Sequence, residues 1–263
     1  PRGGAYIGAL VGNPVRGDGT LYVSSSDGKV YALAIATFTR EWESEALADK
    51  LWTSPAIVGD TLYVSTFDGH IHALSAETGG LLNWSFKAEA GFSSSPVIYD
   101  DTIFVGSFDR HLYAIEIGSD EPLWRFPREK PAGNWFWAAP EVNEGIVYAG
   151  CLDGTLYAID ARTGEEKWSY ETQDERGKPS PIVSSPVLMD NLLIVVNEAG
   201  FVYAFNLDGK LANEEPISVG DDVRSSFSAH EGRVYIRGEK NKLYVVDIGD
   251  REVSQPISLT IEE

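Results

Sequence analysis

The sequence is poor in sulfur-containing residues and has no long apolar run. Among 263 residues there is one cysteine, Cys151, and one methionine. A single cysteine cannot form an intramolecular disulfide, so the fold does not depend on one. No segment approaches the roughly 18 consecutive apolar residues of a membrane-spanning helix. We therefore expect no direct insertion into a bilayer.

Basic residues are scarce relative to acidic ones. The chain has 40 Asp and Glu against 21 Lys and Arg, which gives a net charge of −19. Such a surface repels phosphate backbones, so we expect no nucleic-acid partner. The acidic surplus favours solubility, and it is also compatible with salt adaptation or with attraction to a basic partner. Aromatic residues at 11% and apolar residues at 43% indicate a folded, globular chain.

Four sequence patterns recur about six times along the whole chain. The first is a small residue before proline, spaced by 41 to 46 residues, at Asn13, Ser54, Ser95, Ala139 and Ser185, with Ser226 as a sixth copy that lacks the proline. The second is a turn, at Asp27, Asp68, Asp109, Asp153, Ala199 and Asn241. The third is Tyr31, His72, Tyr113, Tyr157, Tyr203 and Tyr244, and the fourth is Trp42, Trp84, Trp124 and Trp168.

Each repeat is typical of four short strands. In the third copy they are expected over 96–99, 102–107, 111–117 and 122–126, because β-branched and aromatic residues fill these stretches and Gly, Asp and Asn separate them. Four strands in 40-odd residues make one blade of a β-propeller. The sequence therefore predicts an all-β fold, a propeller of four-stranded antiparallel blades, most simply six of them.

We expect a single propeller domain over residues 1–263. The predicted blades are 12–47, 53–88, 94–128, 138–172, 184–218 and 225–262. A ring of blades leaves no open sheet edge once a terminal strand seals the last blade against the first. Either Ala5–Val11 or Pro256–Glu263 could supply that strand, and an upstream signal peptide, lipid anchor or further blade could have been removed.

Two of the patterns have a structural explanation. The small residue before proline fits the innermost strand, where blades converge and a proline at a sheet edge loses no ladder hydrogen bond. The tryptophans Trp42, Trp84, Trp124 and Trp168 fit the outer strand, as docking residues between neighbouring blades. A buried indole contributes roughly 4–6 kcal/mol at most.

The stretch from Ala158 to Trp168, AIDARTGEEKW, resembles the tryptophan-docking motif of pyrroloquinoline-quinone (PQQ) type propeller repeats. The second copy, with Ala73, Thr78, Gly79 and Trp84, is similar with one inserted residue, and the remaining copies are weaker. The resemblance covers essentially the whole chain. It is specific for the fold and says little about function.

The resemblance leaves two functional branches. Quinoprotein dehydrogenases bind PQQ and usually Ca²⁺, have eight blades and often carry an adjacent cysteine pair; this chain has one cysteine and too few residues for eight blades. The other branch is non-catalytic and includes the propeller of the outer-membrane β-barrel assembly machinery, the BamB type. The resemblance thus implies an exported binding scaffold, periplasmic or extracellular, without a cofactor. A small PQQ-dependent oxidoreductase is the alternative.

Surplus aromatic residues suggest a binding surface at one end of the propeller. Alternating strand directions place the turns after the second strands on the same face as the segments that lead into each blade. These segments carry the predicted ligand-binding residues of this funnel face, Trp52, Phe92, Trp135, Phe136, Trp137 and Arg224. The ligand would be a protein, a peptide or a saccharide. The alternatives are that the rings form local core and that Arg224 pairs with nearby acids.

No pattern in the sequence predicts a catalytic or metal site. Nucleophile, phosphate-loop and dinucleotide motifs are absent from the sequence. His70, His72 and His111 lie near one another in the repeat, but a zinc site would need a further ligand. The turn aspartates occur once per blade without the close spacing of a calcium loop, so hairpin turns account for them.

Overall fold

A computed structural model describes residues 9, 12–47, 50–212 and 214–259. These residues form 25 β-strands and contain no helix, so no described helix is long and apolar enough to cross a membrane. The strands form six antiparallel sheets, and in each sheet the first four strands pair in chain order. The all-β class and the six four-stranded blades predicted from the repeats are confirmed.

The chain divides into two compact units, residues 1–125 and 126–263. The first three blades consist of β1 (Val15–Arg16), β2 (Thr20–Ser24), β3 (Val30–Ala34) and β4 (Arg40–Glu43); β5 (Ala56–Val58), β6 (Thr61–Ser65), β7 (His70–Ser75) and β8 (Leu81–Lys87); and β9 (Val97–Tyr99), β10 (Thr102–Gly106), β11 (Leu112–Glu116) and β12 (Trp124–Phe126).

The last three blades follow the same plan. They consist of β13 (Glu141–Asn143), β14 (Ile146–Gly150), β15 (Thr155–Asp160) and β16 (Glu166–Glu171); β17 (Val187–Met189), β18 (Leu192–Val196), β19 (Phe201–Asn206) and β20 (Ile217–Ser218); and β21 (Ser228–His230), β22 (Arg233–Arg237), β23 (Lys242–Asp247), β24 (Glu252–Val253) and β25 (Ile257–Ser258).

The sixth sheet has one extra strand. β25 pairs with β23 of its own sheet, beside β24. Of the two segments considered for closing the ring, Ala5–Val11 lies outside the described residues except for Ala9, and 260–263 lie outside them as well. The closure of the ring by one of these two segments therefore stays a prediction.

Core residues lie between consecutive blades. The second and third strands are the most buried, as in β10 and β11, where four of five residues are buried. In the first unit one cluster joins the first two blades through Val30, Leu62 and Leu74. In the second unit another joins the fourth and fifth blades through Leu156, Val195 and Phe205. The apolar alternation of the strands thus stabilises the contacts between blades as well as each sheet.

Tryptophans on three outer strands donate hydrogen bonds to the next blade. The indole Nε1 of Trp42 donates to the carbonyl oxygen of Ala76 at 3.0 Å, and that of Trp84 donates to Ser119 at 3.0 Å. In the second unit, Trp168 donates to Leu207 at 3.2 Å. Trp124, on β12, is 6% exposed and its ring packs 5.8 Å from Phe104.

Each of two docking rings rests on a glycine of the next blade. A Cβ atom at Gly79 would lie 2.4 Å from the ring of Trp42, and one at Gly209 would lie 2.6 Å from the ring of Trp168. Both glycines have positive φ, at 72° and 86°. Each of these glycine turns therefore serves two purposes, because it reverses the chain and leaves room for an indole from the preceding blade.

The inner ends of the first three blades are joined by serine hydroxyls. The N–H of Asn13 donates to Oγ of Ser54 at 2.7 Å, and the N–H of Ser54 donates to Oγ of Ser95 at 2.8 Å. The small residue before proline was predicted because space is limited at this end. The structure adds a hydrogen bond from two of these residues, Asn13 and Ser54, to the next copy.

A tyrosine of the third strand anchors the turn before it in two blades of the first unit. Tyr31 donates to Asp27 at 2.6 Å, and Tyr113 donates to Asp109 at 2.5 Å. The second blade has His72 at this position, and its buried Nε2 has no hydrogen-bond partner. Burial lowers the pKa of His72, and the neighbouring His70 lowers it further.

We expect Gly79→Ala to destabilise the protein more than Gly118→Ala. Both glycines have positive φ, at 72° and 94°, but a Cβ at Gly118 would meet no atom within 4 Å. The difference in the free energy of unfolding should be about 1–3 kcal/mol, since only Gly79→Ala displaces an indole. Urea denaturation measures it. Equal costs would show that the Trp42 ring does not depend on the glycine.

We expect His72→Tyr to make folding stability less sensitive to acid. The folded pKa of His72 is lowered, so below about pH 6.5 the unfolded chain binds a proton that the folded chain does not. The contribution of His72 to the free energy of unfolding is therefore fully present above that pH and is lost as the pH falls. The fall in the urea midpoint from pH 7.5 to 5.5 should shrink in His72→Tyr and stay unchanged in His230→Gln, whose ring is exposed. An equally large fall in the urea midpoint of His72→Tyr would show that His72 is not the source of the acid sensitivity.

Candidate functional site

Three aromatic rings form a continuous surface in the first unit. Trp52 lies in the segment before β5, 43% exposed, and its ring centroid is 5.2 Å from that of Phe67 in the β6–β7 turn. The Phe67 ring is in turn 5.2 Å from that of Phe108, in the β10–β11 turn. Both phenylalanines are half-buried. We call Trp52, Phe67 and Phe108 the aromatic ladder.

Backbone contacts fix the ladder in place. The N–H of Phe108 donates to the carbonyl oxygen of Gly91 at 2.8 Å, and that of Phe92 donates to Thr66 at 3.1 Å. A Cβ at Gly91 would lie 1.9 Å from the carbonyl oxygen of Phe67, so only glycine allows this approach. The segment leading into the third blade is thereby held against the turn of the second blade, and the rings are presented on rigid backbone.

The predicted site residue Phe92 belongs to the core. Its ring is fully buried and lies 6.1 Å from that of Tyr113. Phe136, in the second unit, is also fully buried and lies 5.8 Å from Tyr157. Neither side chain has surface to offer a ligand, and we do not include them in the proposed binding surface.

Trp135 and Trp137 flank the buried Phe136 and are each 38% exposed. Their loop is tied to the β14–β15 turn, where the N–H of Leu152 donates to the carbonyl oxygen of Trp135 at 2.9 Å. The thiol of Cys151 donates to the carbonyl oxygen of Asn134 at 3.2 Å. Burial raises the pKa of Cys151 to about 12, so the sulfur stays a protonated thiol and is a poor nucleophile at neutral pH.

Arg224 is paired with two acids of the second unit. Its Nε lies 2.5 Å from Glu198 and its Nη1 lies 2.9 Å from Glu239. The hydrogen bond to Glu198, together with the charges of both acids, raises the pKa of the guanidinium. The guanidinium therefore has partners before any ligand arrives, in keeping with the second of the two roles considered for it.

Sequence reasoning missed Phe67 and Phe108. Both stand directly before the aspartate of the turn pattern, where the other four copies have Ser26, Leu152, Glu198 and Lys240. A comparison of this position across the copies would have revealed two aromatic residues on an otherwise polar or aliphatic turn.

The histidines do not form a metal centre. The rings of His70 and His72 stack 5.3 Å apart, and Nδ1 of His70 lies 3.2 Å from Asp68. Nδ1 of His111 lies 3.3 Å from Asp109, without the alignment of a hydrogen bond. Across the described part of the chain, no three His, Cys, Asp or Glu side chains are grouped as metal ligands.

Comparison with solved structures supports the fold. The crystal structure of BamB from Moraxella catarrhalis superposes with a TM-score of 0.77 and 16% identity, over 93% of this chain and 72% of that one. The computationally designed Ika8 protein superposes with a TM-score of 0.73 and 17% identity, over 94% of this chain and 74% of the other. At such low identity the likeness shows the β-propeller fold alone.

Comparison of sequences identifies the family. No curated protein sequence matches significantly. The family model described as outer membrane protein assembly factor BamB matches residues 1–81, 26–135 and 68–260, which together span nearly the whole chain. The chain therefore belongs to the BamB family of PQQ-like propeller repeat proteins.

Proposed function

We propose that this protein is a non-catalytic scaffold of the cell envelope that binds an extended segment of a partner protein. The observation that carries the proposal is the aromatic ladder, in which three rings in consecutive tilted and edge-on contact are presented on backbone that is fixed by hydrogen bonds. Family membership supports a scaffold outside the cytoplasm, since the matched family is named for outer-membrane protein assembly.

The energetics of the ladder suit an anchor for a partner. A tryptophan side chain buries on the order of 150–250 Å² in all, so the exposed 43% of Trp52 offers about 60–110 Å². Its burial would contribute roughly 2 kcal/mol, or about 30-fold in affinity. Aromatic residues that dock on rigid surroundings often dominate binding energy in protein interfaces. Trp135 and Trp137 form a second proposed contact in the other unit.

We expect Trp52→Ala to weaken binding of the partner by about 10- to 100-fold. Immobilised protein would capture partners from an envelope extract of the source organism, and binding of each captured partner would then be titrated. Phe38→Ala is the matched control, because Phe38 is 77% exposed in the same unit but lies in the β3–β4 turn. Unchanged binding in Trp52→Ala and in the double variant Trp135→Ala, Trp137→Ala would refute this surface; capture of saccharide alone would refute a protein partner.

We expect no cofactor. Addition of PQQ and Ca²⁺ at high micromolar concentration should leave the melting temperature unchanged, because a ligand that binds the folded state raises it. A raised melting temperature together with a bound quinone absorption band would favour the alternative, a PQQ-dependent oxidoreductase.

A further inference from the structure

An acidic groove with an aromatic floor lies between the first two blades. It has a volume of about 790 Å³ and opens beside the β1–β2 and β5–β6 turns. The rings of Tyr22 and Trp42, 5.8 Å apart, form its floor. Four exposed carboxylates stand around it, namely Asp18, Glu41, Asp60 and Glu77, and none of its described lining residues is a lysine or an arginine.

The four carboxylates are not neutralised by the described part of the chain. None of them forms an ion pair there, whereas Glu43, two residues from Glu41 on the same strand, pairs with both Lys29 and Arg40. Thr20 orients Glu41 by donating a hydrogen bond to Oε2 at 2.9 Å. Four like charges around one groove repel each other, and a cation bound between them would relieve that repulsion.

The aromatic floor of the groove is fixed in position and lies in the negative potential of the surrounding carboxylates. Trp42 uses its N–H to bind Ala76, which fixes the plane of the ring. Burial raises the pKa of Tyr22, and the charges of Glu41 and Asp60 raise it further. An aromatic face beside carboxylates favours a cation that also carries apolar surface, because the ring attracts the charge and packs against the stem.

We propose that this groove binds an arginine or lysine side chain of a partner protein segment, with the aliphatic stem against Trp42 and the charged head among the carboxylates. The site is distinct from the aromatic ladder, since it is built from strands β2, β4 and β5 and from the β1–β2, β5–β6 and β7–β8 turns. It is also independent of the proposed function, because an enzyme or a scaffold could equally carry it.

The corresponding position in the fourth blade is basic. Lys167 precedes Trp168 as Glu41 precedes Trp42, and Nζ of Lys167 lies 3.0 Å from Asp160 of its own blade. The repeat therefore accepts lysine beside a docked tryptophan. This makes Glu41→Lys a charge reversal that the fold already tolerates in another copy.

The test is a titration of the full chain with a fluorescein-labelled peptide of alternating glycine and arginine, followed by fluorescence anisotropy. A peptide in which citrulline replaces arginine keeps the shape and removes the charge. Glu41→Lys should weaken binding of the arginine peptide at least tenfold. Glu121→Lys, which makes the same charge change at an exposed site in the β11–β12 turn, should change it less than twofold.

The outcomes separate the groove from general attraction to an acidic protein. Equal weakening by Glu41→Lys and Glu121→Lys, or equal binding of the citrulline peptide, would overturn the proposal. So would displacement of the peptide by spermidine at concentrations below the peptide's own Kd, which would assign the groove to a polyamine. Should Glu41→Lys lower the melting temperature, Glu77→Lys provides the same comparison from the β7–β8 turn. Trp52→Ala should leave this binding unchanged, whatever becomes of the proposed function.

Discussion

The contact between an outer-strand tryptophan and the next blade is the interaction on which the rest of the structure depends. The indole of Trp42 or Trp168 covers a glycine turn and donates its N–H to a carbonyl 34 or 39 residues further along the chain. Donor and acceptor thus belong to consecutive repeats. Stability within a unit therefore accumulates from contacts between neighbouring blades.

The inner ends of the blades are held by a different interaction. There the hydroxyls of Ser54 and Ser95 accept backbone hydrogen bonds from the preceding blade. A blade in the first unit is therefore fixed at its outer edge by an apolar ring and at its inner edge by a polar group. The segment between Leu51 and Ser54 runs into this inner edge, and Trp52 lies on it. The rigidity that suits Trp52 to binding is a consequence of how the blades are joined.

The sequence was sufficient to predict the fold because the same strand and turn pattern occurs six times along the chain. A single Asp-Gly turn or a single tryptophan would predict little, but four patterns that shift together define strands, turns and the docking face. The site was less predictable. In Trp135-Phe136-Trp137 the alternation of an extended chain places the middle ring opposite its neighbours, and Phe136 is accordingly buried. The ion pairs of Arg224 join residues 15 and 26 positions away, and no local pattern reports them.

The positions at which the copies differ offer a guide to function in a repeat protein. The docking tryptophan recurs in the first four copies, which face the same packing problem. The turn position that holds phenylalanine in two blades holds Glu198 in another, and the residue before the docking tryptophan is Glu41 in one blade and Lys167 in another. Docking does not require these differences, because the indole hydrogen bond forms in both settings. Exposed positions at which one copy differs from the others are therefore not explained by blade docking. We expect binding surfaces to lie at such positions.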